Sequence, residues 1–143
     1  MPVEIISRNI FSLPHRTPLV HCVINCFSMS AGLAKAVKHQ FGGRSSLLDY
    51  PHPHLGGIGV TMTHGKMVIH LVTKRQYYHK PTFATLESSM RNLREYCEDL
   101  NITEISMPYF ISCGLDRLYW PDVYDLILDL FQNSSITVYI CKI

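Results

Sequence analysis

Residues Ser112–Trp120, with the sequence SCGLDRLYW, combine small residues with one carboxylate and one guanidinium. They follow a strand-like segment and precede a helix-like one, so they are predicted to form a strand-to-helix turn. Small residues allow backbone N–H groups to approach an anionic ligand closely, and a guanidinium beside a diphosphate is a good partner for it. The same residues also suit an ordinary loop, in which Asp116 caps the helix or pairs with Arg117. Spacing alone favours the ordinary loop.

A second stretch of small residues, Asn25–Gly32, occupies the same kind of position. It begins as the apolar run Leu19–Cys26 ends, and that run is rich in β-forming residues and predicts a buried strand. Two serines in the stretch are candidate N-caps for a helix that ends at Gly42-Gly43. Ligands of open α/β sheets collect where strands lead into helix N-termini, so both loops are candidate phosphate contacts. Neither contains the G-x-x-x-x-G-K-[ST] pattern of a P-loop.

The remaining chain alternates strands with helices. The sequence GGIGVTMTHGKMVIHLVTK predicts two strands joined by a tight turn at His64-Gly65. A helix then begins at Pro81-Thr82, and its apolar residues recur every three or four positions as one core-facing stripe. The stripe consists of Phe83, Leu86, Met90, Leu93, Cys97 and Leu100.

The last third of the chain predicts a strand at EISMP, a helix from about Pro121 to Phe131 and a closing strand at SITVYICKI, with Trp120 in the core. The alternation indicates a single three-layer α/β domain over residues 1–143, in which three helices cover a largely buried sheet.

Composition limits the classes of partner. The chain has 143 residues, 47% hydrophobic and 17% charged, which is typical of one globular domain. Its net charge of +2 is carried by scattered basic residues, so neither nucleic acid nor a membrane surface is indicated as a partner. No signal-peptide pattern and no bilayer-spanning apolar run occur. The five cysteines include no C-x-x-C pair and the eight histidines look dispersed, which predicts a reduced intracellular protein and does not favour a metal site.

Five stretches of the chain together resemble the macrodomain family, most closely its terminal ADP-ribose protein glycohydrolase branch. They are HCVINCFSMSAGLAKAVKHQFGG, LVTKRQYYHKPTFATL, ISMP, CGLDRLYW and ITVY, in the family's order and at nearly its spacing. The combination of TK…HKPT with CGLDRL is specific to this branch, whereas the helix after SAGLA suits macrodomains generally. The resemblance implies a six-stranded mixed sheet between helices and a cleft that binds ADP-ribose.

The same resemblance implies which residues contact the ligand. The first small-residue loop would contact the distal ribose and the nearby phosphate, and the second would wrap the diphosphate with its backbone amides. The implied ADP-ribose-binding residues are Asn9, Ile10, Ile24, Met29, Ser30, Ala31, Gly32, Phe110, Ile111, Ser112, Cys113, Gly114, Leu115 and Cys141.

The resemblance assigns the reaction to Lys74 and Asp116. Lys74 would attack the anomeric carbon of the distal ribose, displace a carboxylate such as a modified glutamate and form a covalent lysyl intermediate. Asp116 would then assist its breakdown by moving protons. Lys74 ends the apolar run MVIHLVT, where partial burial would disfavour the ammonium form of an amine whose free pKa is ~10.4. By position alone, Lys74 would be a lysine that closes an exposed strand end. The chemistry needs no metal or other cofactor.

Three positions differ from the pattern of related macrodomains, and all three concern binding. Arg8-Asn9 stands where relatives have Gly-Asp, whose aspartate binds the adenine amine. Asparagine keeps a carbonyl acceptor but lacks the charge that strengthens such a bond. Ser30 stands where the branch has glycine, and PYFISCG is one residue longer than the matching segment.

The leading hypothesis is a monomeric hydrolase of the nucleus or cytoplasm that acts on ADP-ribosylated proteins. It would remove ADP-ribose from acidic side chains, with deacetylation of O-acetyl-ADP-ribose as a further activity of the branch. One alternative is a reader module that binds ADP-ribose without turnover, which the altered first loop and Asn9 motivate. An ADP-ribose-1''-phosphate phosphatase ranks lower, because Lys74 and Asp116 match the glycohydrolase branch better.

Overall fold

Six strands, two α-helices and one 3-10 helix make up the part of the chain that the computed structural model describes. That part comprises residues 2–24, 55–63, 65–74, 82–111, 113 and 118–142, and four positions in strands, 23, 24, 63 and 74, are described for the backbone alone. The strands are β1 (Val3–Ile6), β2 (Leu19–Ile24), β3 (Ile58–Thr63), β4 (Lys66–Lys74), β5 (Glu104–Pro108) and β6 (Thr137–Cys141). The helices are α1 (Phe83–Asp99), α2 (Trp120–Phe131) and the 3-10 helix Ile10–Ser12.

The strands form one mixed sheet in the order β1-β6-β5-β2-β4-β3. Neighbouring strands are parallel throughout, except that β3 runs antiparallel to β4. The six-stranded mixed sheet implied by the resemblance is therefore confirmed. Because β1, β6, β5, β2 and β4 run in one direction, their carboxyl ends share one edge of the sheet, which is where α/β folds bind ligands.

The antiparallel pair β3–β4 is the hairpin expected from the sequence. Thr63 pairs with Lys66 at its closed end, and Gly65 has a φ of +78°, a conformation that glycine adopts without steric cost. The buried Lys66 ammonium donates hydrogen bonds to the carbonyls of Pro14 and Thr17, at 3.1 and 2.5 Å. This lysine therefore ties the start of β4 to the loop that leads into β2.

Helix α1 begins at a capping box formed by Thr82 and Thr85. The Thr82 hydroxyl accepts a hydrogen bond from the Thr85 amide, and the Thr85 hydroxyl accepts one from the Thr82 amide, each at 3.1 Å. The middle of the predicted stripe is fully buried, in the order Leu86, Met90, Leu93 and Cys97.

The prediction was wrong for the two ends of that stripe. Phe83 is 39% exposed and Leu100 is 51% exposed. Both lie at the ends of α1, because Phe83 is its first residue and Leu100 its C-cap. The 3-4 spacing gives the direction in which a side chain points, and it does not give the length over which the sheet covers the helix.

Both α-helices pack on the same face of the sheet. Alternate residues of the strands, such as Val20, Ile69 and Ile105, form one core with the buried faces of α1 and α2. Trp120, predicted to be in the core, is only partly buried and packs against the edge of that core. The opposite face carries a smaller cluster that includes Leu19 and Val68, and the helix predicted between the two serines and Gly42-Gly43 lies outside the described residues. Neither described α-helix is long and apolar enough to cross a membrane.

Candidate functional site

The carboxyl edge of the sheet gathers several residues that the sequence named from distant positions. Asn9 follows β1, Cys141 ends β6, Phe110 follows β5, and Lys74 is the last residue of β4. The predicted partner Asp116 lies outside the described residues, as do Met29, Ser30, Ala31, Gly32, Ser112, Gly114 and Leu115. Ile24 and Lys74 are placed by their backbones alone, at the ends of neighbouring strands that pair with each other.

Asn9 already uses its side-chain carbonyl. Its Oδ1 accepts a hydrogen bond from the Phe11 amide at 2.9 Å and thereby caps the 3-10 helix, in which Ile10 is buried. The Arg8 guanidinium donates to the backbone carbonyl of Ser12 at 3.2 Å. This bond leaves one lone pair of Oδ1 for a further donor, such as the adenine amine that the resemblance implies.

The loop after β5 begins with two successive turns. The Ile111 amide donates to the Pro108 carbonyl at 3.1 Å, and the Cys113 amide donates to the Phe110 carbonyl at 2.8 Å. Phe110 is the third residue of the first turn and has a φ of +65°. A left-handed conformation at this position is the requirement of a type II turn, normally met by glycine or asparagine. The segment PYFISCG therefore contains a residue in a strained backbone conformation, at a cost of about 1–3 kcal/mol.

The Phe110 ring belongs to a small aromatic cluster just beyond the carboxyl end of β5. The Phe110 side chain is 50% exposed, and its ring centroid lies 4.5 Å from that of Tyr109 and 5.7 Å from that of Trp120. The Tyr109 ring also packs against the Trp120 ring, with centroids 4.8 Å apart and planes tilted by 53°, and the Lys142 ammonium lies 4.6 Å from the Tyr109 ring centroid. An exposed ring that packs against two other rings can stack against a planar group of a ligand.

Substitutions of Phe110 are expected to reverse the usual order of stability, in which an alanine variant is more stable than a glycine variant. Phe110→Gly should be more stable than Phe110→Ala by about 1 kcal/mol, because both variants lose the ring and only glycine relieves the positive φ. Urea denaturation of the two variants measures the difference. An alanine variant as stable as the glycine variant would show that residue 110 is not held in a left-handed conformation.

The carboxyl end of β4 departs from regular pairing just before Lys74. Val23 pairs with Val72 and Ile24 pairs with Lys74, so Thr73 is an extra residue on β4. Hydroxyl groups of α1 bind the carbonyls of this segment, from Thr85 to Thr73 at 2.9 Å and from Ser89 to Val72 at 3.3 Å. β-Bulges are frequent beside active sites, where they redirect a side chain.

Two histidines that look dispersed in the sequence meet inside the sheet. His21 of β2 pairs with His70 of β4, and the His21 Nε2 and His70 Nδ1 atoms are 2.7 Å apart in a hydrogen bond. The Thr61 hydroxyl lies 3.0 Å from His70 Nε2. His21 Nδ1 is buried and has no hydrogen-bond partner among the residues that the structure describes. Sequence spacing did not reveal this pair, because the two histidines are brought together by the register of β2 and β4.

Burial keeps this pair of histidines neutral. Desolvation lowers the pKa of His70 to about 3. The pKa of His21 is held well below its usual value, first by burial and then by the nearby His70. Neither imidazole therefore gains a proton at neutral pH. In the described part of the chain no three His, Cys, Asp or Glu side chains are grouped to hold a metal ion.

A surface groove between α1 and α2 lies apart from the predicted ligand contacts. It has a volume of about 470 Å³ and is lined by Phe83, Glu87, Asp122, Asp125, Leu126 and Asp129. Four carboxylates in its wall would repel a diphosphate, and none of the residues implied for ADP-ribose lines it. The groove is therefore not assigned to that ligand.

Solved structures identify the class of fold. The macrodomain of Mycobacterium tuberculosis DarG superposes with a TM-score of 0.82 at 19% identity, covering 99% of this chain and 97% of that one. The macrodomain of Thermus aquaticus DarG gives 0.79 at 18% identity, covering 99% and 98%. Thermosipho africanus DarTG in complex with ADP-ribose gives 0.79 at 21% identity, covering 97% of this chain and 41% of that one. The fold is that of a macrodomain.

Sequence relatives place the chain within that class. The ADP-ribose glycohydrolase OARD1 of Bos taurus is 33% identical over 136 residues, which cover 95% of this chain and 88% of the relative. The Homo sapiens protein of the same name is 32% identical with the same coverage. No family model matches the chain. The chain belongs to the macrodomain family, in the group of ADP-ribose glycohydrolase OARD1, and the resemblance stated from its motifs is confirmed.

Proposed function

We propose that this macrodomain is a hydrolase that releases ADP-ribose from acidic side chains of proteins, with deacetylation of O-acetyl-ADP-ribose as a related activity. The observation that carries the proposal is the identity of 33% over 95% of the chain with proteins named ADP-ribose glycohydrolase. The chain keeps Lys74 within LVTKR and Asp116 within CGLDRL, the two motifs of that branch.

In the proposed reaction, the neutral amine of Lys74 attacks the anomeric carbon of the distal ribose. The bond from that carbon to the ester oxygen breaks, and the carboxylate of the modified side chain leaves with the bonding electrons. Asp116 accepts the proton released by the amine and then assists attack of water on the lysyl intermediate. The position of Lys74 at the carboxyl end of β4 supports this assignment, because ligands of such sheets bind there.

Binding would use the same edge of the sheet. The turn that starts at Phe110 leads into the loop proposed to wrap the diphosphate, and Asn9 stands at the end proposed for adenine. The proposed partner is an ADP-ribosylated protein, on which the chain would act as a single-domain monomer in the nucleus or cytoplasm. The proposed chemistry uses side chains alone.

A reader module is the second candidate, and a specific observation favours it. The Asn9 Oδ1 accepts the Phe11 amide, which leaves one lone pair of an uncharged carbonyl for the proposed adenine contact. A site with altered adenine recognition can retain the diphosphate and lose useful turnover, because catalysis requires the distal ribose to be held in register with Lys74.

One experiment separates hydrolase from reader. The unmodified protein is incubated with a glutamate-ADP-ribosylated peptide and free ADP-ribose is measured, while calorimetry measures ADP-ribose binding. Release of ADP-ribose supports the hydrolase. Binding without release would leave the reader, and absence of binding would contradict both. Phosphate release from ADP-ribose-1''-phosphate in a parallel assay would indicate the phosphatase instead.

A further inference from the structure

We propose that Thr85 is a positioning residue for Lys74, because it anchors the bulged end of β4 through the carbonyl of Thr73. The proposal rests on the function proposed for Lys74, and it adds a residue that lies in a helix and not in the cleft. Three features carry it: the interrupted register of β4, the hydrogen bonds of the Thr85 hydroxyl, and the rigid attachment of α1 to the same segment.

The register shows why β4 needs an anchor at this point. From Leu19 to Val23, β2 pairs residue by residue with Val68 to Val72 of β4, and then the pairing skips to Ile24 with Lys74. An extra residue in a strand takes its backbone out of the regular ladder. Pairing with β2 therefore constrains the orientation of the peptide group between Thr73 and Lys74 less than it constrains the preceding peptide groups of β4.

The Thr85 hydroxyl acts on that same peptide plane. The Thr73 carbonyl belongs to the peptide group that also contains the Lys74 nitrogen, so fixing its oxygen fixes the direction in which the chain enters Lys74. Thr85 Oγ1 lies 2.9 Å from the Thr73 oxygen and 2.9 Å from the Thr82 oxygen, and it has one proton to donate. The Thr82 oxygen already accepts the Leu86 amide at 3.1 Å. In this proposal, the hydroxyl proton is assigned to Thr73.

The Thr85 hydroxyl is itself held in place by the capping box of α1. The Thr85 hydroxyl accepts the Thr82 amide in the capping box, which fixes its rotamer at the start of α1. One turn further along, the buried Ser89 hydroxyl donates to the Val72 carbonyl at 3.3 Å. Helix α1 thus holds two successive carbonyls of β4, Val72 and Thr73, immediately before Lys74.

Small displacements of a reacting group have large effects on rate. A nucleophile must approach the anomeric carbon within about 3–3.5 Å in a defined direction, and a misplacement of about 1 Å can cost about 100-fold in rate. Loss of the anchor should therefore lower kcat, while binding of ADP-ribose, which is proposed to depend on the two loops, should change little.

The test compares Thr85→Val with a variant matched for its effect on the helix. Thr85→Val removes the hydroxyl that accepts the Thr82 amide and donates to Thr73, and it leaves the Thr82 hydroxyl capping the Thr85 amide. Thr82→Val removes the hydroxyl that caps the Thr85 amide and leaves the bond from Thr85 to Thr73. We expect kcat to fall about 10-fold or more in Thr85→Val, with KM and the Kd for ADP-ribose within about twofold of the parent. Thr85→Ser should restore kcat, and Thr82→Val should lower the melting temperature without lowering kcat.

The outcomes separate this proposal from the function on which it rests. Equal losses of kcat in Thr85→Val and Thr82→Val, or an unchanged kcat in Thr85→Val beside an inactive Lys74→Ala, would overturn the positioning role alone. Turnover by Lys74→Ala at the rate of the parent, or no turnover by the parent, would overturn the proposed function and the positioning role with it. If Thr85→Val does not fold, Thr85→Ala, which favours helix, gives the same comparison.

Discussion

Lys74→Ala is expected to abolish release of ADP-ribose from a glutamate-modified peptide, with kcat/KM lowered by about 10³-fold or more. The amine is the proposed nucleophile, and alanine leaves no group that can form the covalent intermediate. Single-turnover release of ADP-ribose measures the loss, and calorimetry with ADP-ribose should show that binding persists. Full activity in this variant would contradict the lysyl route.

Asp116 provides the companion measurement to Lys74. Asp116→Ala should slow the reaction by about 10²- to 10⁴-fold, the range for loss of a general acid–base. Because Asp116 is proposed to assist breakdown of the intermediate, intact-mass analysis should detect an ADP-ribose adduct on Lys74 in this variant. The matched control is Asp122→Ala, which removes an exposed carboxylate from the first turn of α2 and should leave release unchanged.

Acidification from pH 7.5 to 5.0 is expected to lower the free energy of unfolding by roughly 3–4 kcal/mol through the buried pair His21 and His70. In the folded protein both imidazoles have pKa values far below 6.5, about 3 for His70. The unfolded chain binds protons at both residues once the pH falls below 6.5, so stability is complete above that pH and is lost as the pH falls towards 3. Urea denaturation at a series of pH values measures the slope.

Two variants assign this pH dependence to the pair. His21→Leu/His70→Leu removes both imidazoles and should flatten the profile between pH 7.5 and 5.0. Thr61→Val removes the hydroxyl partner of His70 and leaves both imidazoles buried, so it should keep the slope of the parent even if it is less stable. A double variant with an unchanged slope would assign the dependence to other groups. The expected loss is large against a typical net stability of about 5–15 kcal/mol.

Local signals in the sequence predicted individual elements well. The stripe of α1 follows from its 3-4 spacing, and the start of this helix follows from Thr82, whose cap is present in the structure. The hairpin follows from His64-Gly65, which stands between two β-rich runs. The strand order could not be read from periodicity, because alternation reports which face of a strand is buried and carries no information on its neighbours. The mixed sheet was predicted only through the resemblance to macrodomains.

For the site too, the sequence predicted individual residues but not their arrangement in space. Motifs named Asn9, Lys74 and Phe110, and the strand order explains why such distant residues share one edge of the sheet. The left-handed Phe110 was unpredictable from residue type, because phenylalanine rarely adopts a positive φ. The Thr85–Thr73 bond depends on a bulge in β4, and a bulge leaves no mark in the hydrophobic pattern.

The place of β1 in the sheet gives the adenine end of the proposed site a distinct dynamic character. Among the described residues, β1 is an edge strand of four residues whose one neighbour is β6, about 135 positions later in the sequence. Contacts between such distant segments form late in folding, and short edge strands open more readily than the centre of a sheet. Asn9 follows this strand by three residues, whereas Lys74 ends a strand that is paired on both sides. Local opening of β1 would therefore displace Asn9, at the proposed adenine end, while Lys74, the proposed nucleophile, stayed paired with Ile24 of β2. Binding of the base and positioning of the proposed nucleophile can therefore change independently.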